Sequence, residues 1–525
     1  MANVGANVGF LCVLGALCSN AFFGNALAAD PAALYGQHCA VCHGPDRLGI
    51  MGPALLPESL ERLRKPEALK TVREGRAATQ MEGFKAVLSE AEIAAVVDFI
   101  YTRVSPAPTF SERDIRASRV VHHANLPARP AAVFKGVDMM NLFLVVETGD
   151  HHVTVLDGDK LEPIHRFPSR YALHGGPKFT EDGRYVFFAS RDGWVSKFDL
   201  WNLKVVAEIR AGINTRNVAV SGDGKYVAVA NYLPHTLVLL DADLNLLKVH
   251  AVVNKDGKQS SRVSAVYDAA PRKSFVAALK DVPEIWEISY DPQAEDIPIG
   301  MIHDFKYKEG AFVPGFLNPR RSTLTTPLDD FFFDASYAHV MGSSREGKGQ
   351  VVHLDVRKPI ADLDLPGMPH LGSGITWEWR GSRVMASPNL KEGVVSVIDM
   401  KTWQTVKRIP THGPGFFMRS HENSRYAWVD AMMSKARDTL QVIDKETLTV
   451  VGEVKGLPGK TLAHIEFTRD GRHALASQWE RKADGGAIIV YDAATLAEVK
   501  RIPMDKPVGK YNVWNKTRRS EGTSH

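Results

Sequence analysis

The chain has 525 residues, of which 44% are hydrophobic and 24% charged, and its formal net charge is +4. This length exceeds that of most single domains and predicts two domains. The charge is nearly balanced and no run of Lys or Arg is present, which argues against a strongly basic nucleic-acid-binding protein. We therefore expect no nucleic-acid partner.

The N-terminus has the pattern of a secretory signal peptide. Residues 1–28 contain no charged side chain, and an apolar stretch extends from Phe10 to Leu17. Small residues at Ala26 and Ala28 occupy the −3 and −1 positions that a signal peptidase requires. The apolar stretch is too short, and too interrupted by Gly and Asn, to span a membrane. We predict a signal peptide over residues 1–28, a periplasmic mature protein and no membrane span.

The cysteines indicate a covalently bound haem. Two of the four cysteines, Cys12 and Cys18, belong to the signal peptide. The mature chain keeps Cys39 and Cys42, which with His43 form a Cys-x-x-Cys-His motif. Two thiols one helical turn apart reach the two vinyl groups of haem c, and the following His reaches the iron. A redox dithiol would leave His43 without a role, so the motif predicts one haem c.

The second axial ligand of this haem is predicted to be Met81. It lies in a loop that can fold over the far face of the haem, whereas Met51 is only eight residues from His43. A water or a His on the iron is the alternative, with Met81 as a core residue. Ser89 opens an amphipathic C-terminal helix, which completes a small all-α cytochrome c domain over residues 29–104. A thioether ligand raises the reduction potential of the haem.

The rest of the chain contains a repeat. Beyond the Pro-containing residues 105–130, which we interpret as a linker, an apolar strand ending in Asp recurs every 42 to 64 residues. The strand ends are marked by Asp157, Asp199, Asp241, Asp291, Asp355, Asp399, Asp444 and Asp492. This spacing is that of propeller blades and predicts an all-β, eight-bladed β-propeller over residues 131–525. A seven-bladed ring would require Asp291 to be dismissed.

Four polar residues occupy equivalent positions in this repeat. His174, Arg216, His370 and His464 lie in segments that enter the innermost strand of a blade. Such segments meet at one mouth of the central channel, and we call this mouth the funnel. Histidines and an arginine together suggest a metal-containing cofactor with acidic groups. Each His taken alone is more often a hydrogen-bonded residue without a metal.

The combination resembles the cytochrome cd1 family, in which a c-type haem domain precedes an eight-bladed propeller that binds haem d1. The matching segments are 49–53, 171–174, 190–192, 215–217, 231–234, 368–370 and 509–515. The resemblance implies a tetrapyrrole in the funnel, with His174 as the proximal ligand of its iron. It also implies that Arg191 and Arg216 hold carboxylates of the tetrapyrrole, and that Tyr232 belongs to the same binding surface.

One departure from that family concerns the chemistry. Nitrite-reducing members place two histidines over the iron to protonate nitrite, and His370 matches one of them. Asp329 stands in place of the other, and an ionised carboxylate is a poor proton donor. Burial beside the aromatic run Phe331 to Phe333 would raise the pKa of Asp329, and we expect this run to reshape the pocket. The N-terminal extension that precedes the cytochrome domain in the reductases is also missing.

Both departures resemble the dihydro-haem d1 dehydrogenases, which oxidise a propionate side chain of the tetrapyrrole to an acrylate. This resemblance implies that dihydro-haem d1 is the substrate and haem d1 the product. It assigns His464 as general base, and His370 as distal iron ligand or second proton acceptor. A periplasmic electron acceptor is implied, as is a nitrite reductase or maturation factor that receives haem d1. A cytochrome cd1 nitrite reductase and a non-catalytic haem d1 carrier are the alternatives.

Overall fold

The computed structural model describes residues 30–61, 63–76, 81–106, 108–173, 175–304 and 309–518, with the side chains of 302–304 and 309 excepted. The predicted signal peptide and His174 lie outside the described residues. Within these ranges, no helix is both long enough and apolar enough to cross a membrane.

The N-terminal domain is entirely helical, as predicted. Its helices are α1 (Pro31–His38), α2 (Ala40–His43), α3 (Pro57–Leu60), α4 (Lys65–Glu74) and α5 (Glu90–Ile100). The predicted cap of α5 is a complete capping box, in which the backbone N–H of Ser89 donates to Glu92 at 2.8 Å. The buried face of α5, which includes Ile93 and Val97, packs against Leu34 of α1 and Val72 of α4.

The segment interpreted as a linker carries secondary structure of its own. It contains helix α6 (Glu112–Ala117) and a short strand, β1 (Val120–Val121). Ser111 and Asp114 form a second capping box that starts α6. The buried Ile115 of this helix joins a hydrophobic cluster of the propeller. The segment is therefore docked on the propeller, because Ile115 of the capped helix α6 is buried there.

The propeller begins with blade 1 and continues around the ring. In chain order, the strands of its first half are β2 (Leu142–Glu147), β3 (His152–Asp157), β4 (Glu162–Pro168), β5 (Lys178–Phe179), β6 (Tyr185–Ala189), β7 (Trp194–Asp199), β8 (Lys204–Arg210), β9 (Asn214–Val220), β10 (Tyr226–Leu233), β11 (Thr236–Asp241), β12 (Leu246–Ala251), β13 (Val263–Ala269), β14 (Ser274–Leu279), β15 (Glu284–Ser289), β16 (Ile297–Asp304), β17 (Glu309–Val313) and β18 (Pro319–Thr323).

The second half of the ring follows the same plan. Its strands are β19 (Asp330–Phe333), β20 (His339–Ser343), β21 (Lys348–His353), β22 (Lys358–Asp364), β23 (Ile375–Trp379), β24 (Ser382–Pro388), β25 (Val394–Asp399), β26 (Thr405–Pro410), β27 (Met418–Arg419), β28 (Tyr426–Asp430), β29 (Thr439–Asp444), β30 (Thr449–Lys455), β31 (Leu462–Phe467), β32 (His473–Gln478), β33 (Ala487–Asp492), β34 (Glu498–Pro503) and β35 (Pro507–Asn512), followed by helix α7 (Val513–Thr517). Short 3-10 turns occupy Ala132–Phe134, Met139–Asn141, Ala270–Arg272, Leu371–Ser373 and Lys482–Asp484.

These strands form eight antiparallel blades, which confirms the predicted number. Blade 1 combines β35 with β2, β3 and β4, and blade 2 contains β5 to β8 with β1 added at its outer edge. Blade 3 contains β9 to β12. Blade 4 contains β13, β14, β15 and β18, and its separate hairpin β16–β17 lengthens the interval after Asp291. Blades 5 to 8 take the remaining strands four at a time. Each marker Asp ends the third strand of its blade or follows it by two residues.

The core lies between adjacent blades, where the faces of two sheets meet. Between blades 3 and 4, for example, Phe275 and Trp286 pack against Leu237 and Ala219. All four side chains are almost completely buried. Because each blade covers its neighbour, the loss of one large side chain weakens two blades together.

The substitution Phe275→Ala is expected to lower the free energy of unfolding by about 3–5 kcal/mol, because it leaves a cavity between two blades. Val356→Ala is the control, since Val356 is 57% exposed. Denaturant unfolding followed by tryptophan fluorescence measures both. Equal midpoints for the two variants would contradict this account of the core.

Candidate functional site

The predicted haem c site is built by the first two helices. The backbone N–H of Cys42 donates to the carbonyl of Cys39 at 3.1 Å, which places the two thiols one turn apart. Burial raises the pKa of Cys39 to about 11, the opposite of what a reactive dithiol shows. His43 donates from Nδ1 to the carbonyl of Pro53 at 2.8 Å, which leaves Nε2 available to an iron. These residues fit a covalent haem.

Gly52 and Met81 complete the surroundings of this site. A Cβ at Gly52 would lie 2.5 Å from Cε1 of His43, so only glycine leaves room for the imidazole ring. Met81 packs against the core of the cytochrome domain, and its carbonyl accepts the backbone N–H of Arg76 at 3.0 Å. Gly75 has φ +74°, and a Cβ there would lie 2.7 Å from the Met81 carbonyl. These backbone contacts hold the two ends of the Met81 loop together. The role of Met81 as a haem ligand stays a prediction.

The funnel brings three of the predicted binding residues together. Arg191 lies in the turn between β6 and β7, Arg216 on β9, and Tyr232 near the end of β10. Thr215 donates its N–H to the carbonyl of Arg191 at 3.2 Å, which joins the first two segments. Burial and the neighbouring guanidinium of Arg216 lower the pKa of Arg191 to about 10. Burial lowers the pKa of Arg216, but Tyr232 and Asp330 outweigh burial and raise it. Two neighbouring guanidinium groups can hold a carboxylate through paired hydrogen bonds.

Asp329 is held as a carboxylate by two cations. Lys280 hydrogen-bonds to its Oδ1, and Nε of Arg345 lies 3.1 Å from the same oxygen. Burial alone would raise the pKa of Asp329, but Lys280 and Arg345 outweigh burial and lower that pKa to about 2. Asp329 is therefore ionised throughout the neutral range. Phe331 and Phe333 of the aromatic run pack in the core between blades 4 and 5. The expected effect of this run on the pocket stays a prediction.

His370 has one ring nitrogen fixed and one facing a carboxylate. Nδ1 donates to the carbonyl of Phe416 at 2.9 Å, and Nε2 lies 3.8 Å from Oδ2 of Asp330. Asp330 in turn accepts hydrogen bonds from Tyr267 at 2.9 Å and from the N–H of Gly372 at 2.7 Å. Burial lowers the pKa of His370, so its imidazole is neutral near pH 7 with the lone pair on Nε2.

His464 occupies a strained position on the innermost strand of blade 8. The register between β31 and β32 shifts between Ala463 and Ile465, so His464 is the extra residue of a β-bulge. Its φ of +53° is unusual for a residue other than glycine, and such strain is typical of functional sites. Burial and the cations Lys510 and Arg419 lower its pKa well below the ordinary value.

Two phenylalanines connect the two histidines. The ring centroids of His370 and Phe416 are 4.0 Å apart, those of Phe416 and Phe417 are 4.6 Å apart, and those of Phe417 and His464 are 4.7 Å apart. Tyr511 packs on the other side of His464, with ring centroids 5.0 Å apart. Sequence reasoning missed the aromatic bridge, although Phe416 and Phe417 precede an innermost strand just as the predicted residues do.

Comparisons with known proteins match both domains. Residues 137–516 match the family described as "Cytochrome D1 heme domain", and residues 26–100 match "Cytochrome C oxidase, cbb3-type, subunit III". A "Dihydro-heme d1 dehydrogenase" from Pseudomonas aeruginosa is 54% identical over 94% of this chain and 95% of its own length. The chain belongs to the dihydro-haem d1 dehydrogenase family.

Other relatives and one solved structure share parts or all of the architecture. A "Nitrite reductase" from Stutzerimonas stutzeri is 25% identical over 92% of both chains. A "Cytochrome c55X" from Stutzerimonas stutzeri is 42% identical over 16% of this chain and 80% of its own. The solved structure "Dihydro-heme d1 dehydrogenase NirN in complex with DHE" has a TM-score of 0.78 and 53% identity, and covers 93% of this chain and 100% of that chain. Family membership thus accounts for the haem c motif and for the propeller together.

For this family member, Gly52→Ala is expected to displace the His43 ring, because the new Cβ would overlap it. The visible spectrum of the ferric protein should show a weakened or shifted axial ligation, and the yield of haem-loaded protein should fall. Gly36→Ala is the control, since a Cβ at Gly36 meets no atom within 4 Å. Unchanged spectra in both variants would contradict the role of Gly52.

Proposed function

We propose that this protein dehydrogenates the propionate side chain of dihydro-haem d1 to the acrylate of haem d1 and passes the electrons to its covalent haem c. The observation that carries the choice over nitrite reduction is the state of Asp329. Asp329 stands where a nitrite reductase has a proton donor. It is a carboxylate that Lys280 and Arg345 both bind. The relative that is 54% identical carries the corresponding name.

The substrate is proposed to bind through its iron and its carboxylates. His174, which lies outside the described residues, is the proposed proximal ligand of the tetrapyrrole iron. Arg191 and Arg216 are proposed to hold its carboxylates, because planar guanidinium groups form paired hydrogen bonds to a carboxylate. Burial raises the pKa of Tyr232, but Lys280 and Arg216 outweigh burial and lower it. Its hydroxyl is proposed to donate a further hydrogen bond.

His464 is proposed to accept the proton from the side-chain carbon. Its imidazole is neutral near pH 7, as a base must be. The backbone N–H of Lys510 lies 3.5 Å from Nδ1, the limit of a hydrogen bond. To accept a proton at Nε2, the neutral imidazole must carry its hydrogen on Nδ1. Nδ1 then cannot accept the N–H of Lys510, so this weak contact is lost. The cations around His464 oppose its protonation, and the carboxylates of a bound substrate offset that effect.

His370 is proposed to act on the distal face of the substrate. Because Nδ1 donates to Phe416, Nε2 offers its lone pair either to the tetrapyrrole iron or to the second proton. Asp330 lies close enough to Nε2 to stabilise the imidazolium form. Removal of two hydrogens releases two electrons and two protons, so the site needs a second acceptor beside His464.

The covalent haem would supply a one-electron acceptor when it is bound. It would take the two electrons one after the other, with reoxidation by an external acceptor between them. The cytochrome domain packs against the propeller beside the funnel. Its residues Ala54 and Leu56 contact Ile213, which lies just before β9. Ile213 precedes Arg216 by only three residues. This apolar contact supports electron transfer between the two sites without a change of domain arrangement.

The periplasm is the proposed location, on the basis of the signal-peptide pattern and of a haem motif that is loaded on exported proteins. A periplasmic protein is then the proposed electron acceptor. The product is proposed to pass to a nitrite reductase or to a maturation factor, since free tetrapyrrole is poorly soluble. The chain's own chemistry ends with the acrylate.

Arg191→Gln is expected to weaken binding of dihydro-haem d1 by about 1.5–3 kcal/mol, because a charge-assisted hydrogen bond is lost. Arg472→Gln is the control, since the Arg472 side chain is 80% exposed and pairs only at the surface with Asp470. Titration followed in the visible spectrum measures the dissociation constants. Equal affinities in the two variants would remove Arg191 from the binding site.

His464→Ala is expected to bind the dihydro precursor and to leave its mass unchanged, while the wild type lowers that mass by two hydrogens. His473→Ala is the control, because His473 lies at the far end of the same hairpin. Mass spectrometry of the extracted tetrapyrrole measures conversion. Rapid nitrite turnover by the wild type, with an unchanged precursor mass, would overturn the dehydrogenase function. Conversion by His464→Ala at the wild-type rate would exclude His464 as the base.

A further inference from the structure

The buried carboxyl group of Asp430, at the end of β28, receives several backbone donors. Oδ1 accepts the N–H of Phe416 at 2.8 Å, and Oδ2 accepts the N–H of Phe417 at 2.9 Å. The N–H of Met432 donates to Oδ1 at 3.3 Å. These donors precede β27 and follow β28, so one side chain joins the loop that enters blade 7 to the end of β28 beside the funnel.

Asp430 reaches His370 through the backbone of Phe416. The N–H of Phe416 is bound to Asp430, and its carbonyl accepts Nδ1–H of His370. The carbonyl that selects the tautomer of His370 is therefore held in place from behind. If the Phe416 backbone moved, His370 would lose both this acceptor and the ring that lies 4.0 Å from its own.

Asp430 reaches His464 through Phe417. Its carboxyl accepts the N–H of Phe417, whose ring packs on the His464 imidazole, and its own N–H donates to the Phe417 carbonyl at 3.2 Å. The positive φ of His464 must be maintained by its surroundings, and the Phe417 ring is part of them. The position of the His464 ring thus depends on Asp430.

We infer that Asp430 is the positioning residue that holds His370 and His464 in register with each other. The inference rests on the proposed function, because it takes the roles of both histidines from there. A carboxylate is needed because both of its oxygens accept backbone N–H groups. An amide has only one acceptor oxygen, and its NH2 group would face one of these N–H donors. Burial raises the pKa of Asp430 to about 6, so the group is mainly ionised, and accepts only, at neutral pH.

Asp444 provides a matched control within the same blade. It ends β29, is equally buried, and accepts the N–H groups of Glu446 at 2.8 Å and Thr447 at 3.0 Å. These donors belong to the turn between β29 and β30, and its cationic partner is the exposed Arg425. Asp444→Asn therefore removes a buried carboxylate with backbone donors, while the loops of the two histidines keep their contacts.

The experiment compares Asp430→Asn with Asp444→Asn in the haem-loaded full chain. Both variants should lose thermal stability. Only Asp430→Asn should slow single-turnover conversion of dihydro-haem d1, by about 10- to 100-fold, because misplaced catalytic groups lose alignment. Its affinity for the precursor should stay within about threefold of the wild type, since the arginines are untouched.

A second measurement does not depend on conversion. Hydrogen–deuterium exchange at the histidine C2 position, read by mass spectrometry without substrate, should become faster at His370 and His464 in Asp430→Asn. His339, which pairs with Asp334 in blade 5, should be unchanged and serves as an internal reference. Asp444→Asn should match the wild type at all three histidines.

Conversion and exchange in Asp430→Asn equal to those in Asp444→Asn would overturn the inference. If Asp430→Asn does not fold, Asp430→Glu is measured against the same criteria, because it keeps the charge but displaces the acceptor by one methylene. Failure of the wild type to convert the precursor would instead count against the proposed function. In that case the exchange rates alone decide whether Asp430 positions the two histidines.

Discussion

The pairing of β35 with β2 closes the ring, and the site depends on it. Val145 of β2 lies opposite Lys510 of β35, so the C-terminal strand forms the innermost position of blade 1. Closure also places Lys510 and Tyr511 against His464 of blade 8. Buried Lys510 hydrogen-bonds to the His464 carbonyl and, at 3.0 Å, to Ser477. The contacts that stabilise the ring are therefore the contacts that shape the funnel.

Both domains use one device to prepare a histidine. His43 donates from Nδ1 to the carbonyl of Pro53, and His370 donates from Nδ1 to the carbonyl of Phe416. Each hydrogen bond fixes the ring and leaves Nε2 as the free nitrogen. Burial lowers the pKa of both residues, which favours the neutral imidazole that an iron requires. His464 differs because its backbone, rather than a carbonyl acceptor, sets its direction.

The fold was readable from local patterns, and the finer contacts of the site were not. The Cys-x-x-Cys-His motif lies within five residues and predicted the haem domain. Each strand that ends in Asp is also a short local pattern, and its recurrence predicted eight blades. The pairing of Asp329 with Lys280 and Arg345 joins residues far apart in sequence, whose approach only the closed ring determines. Asp430 was invisible for the same reason, since its donors Phe416 and Phe417 contact histidines of the two neighbouring blades. The assigned roles of the site residues, including His174 outside the described residues, stay predictions.

The docked segment between the domains has a kinetic consequence. Helix α6 packs into the propeller through Ile115, and β1 pairs with β8 so that Val120 lies opposite Glu208. The cytochrome domain is therefore not carried on a free tether that must diffuse to its partner. The rate of electron tunnelling across a fixed gap depends on distance and driving force. The rate at which a tethered domain diffuses to its partner depends instead on solvent friction. Internal electron transfer in this chain should accordingly be insensitive to viscosity.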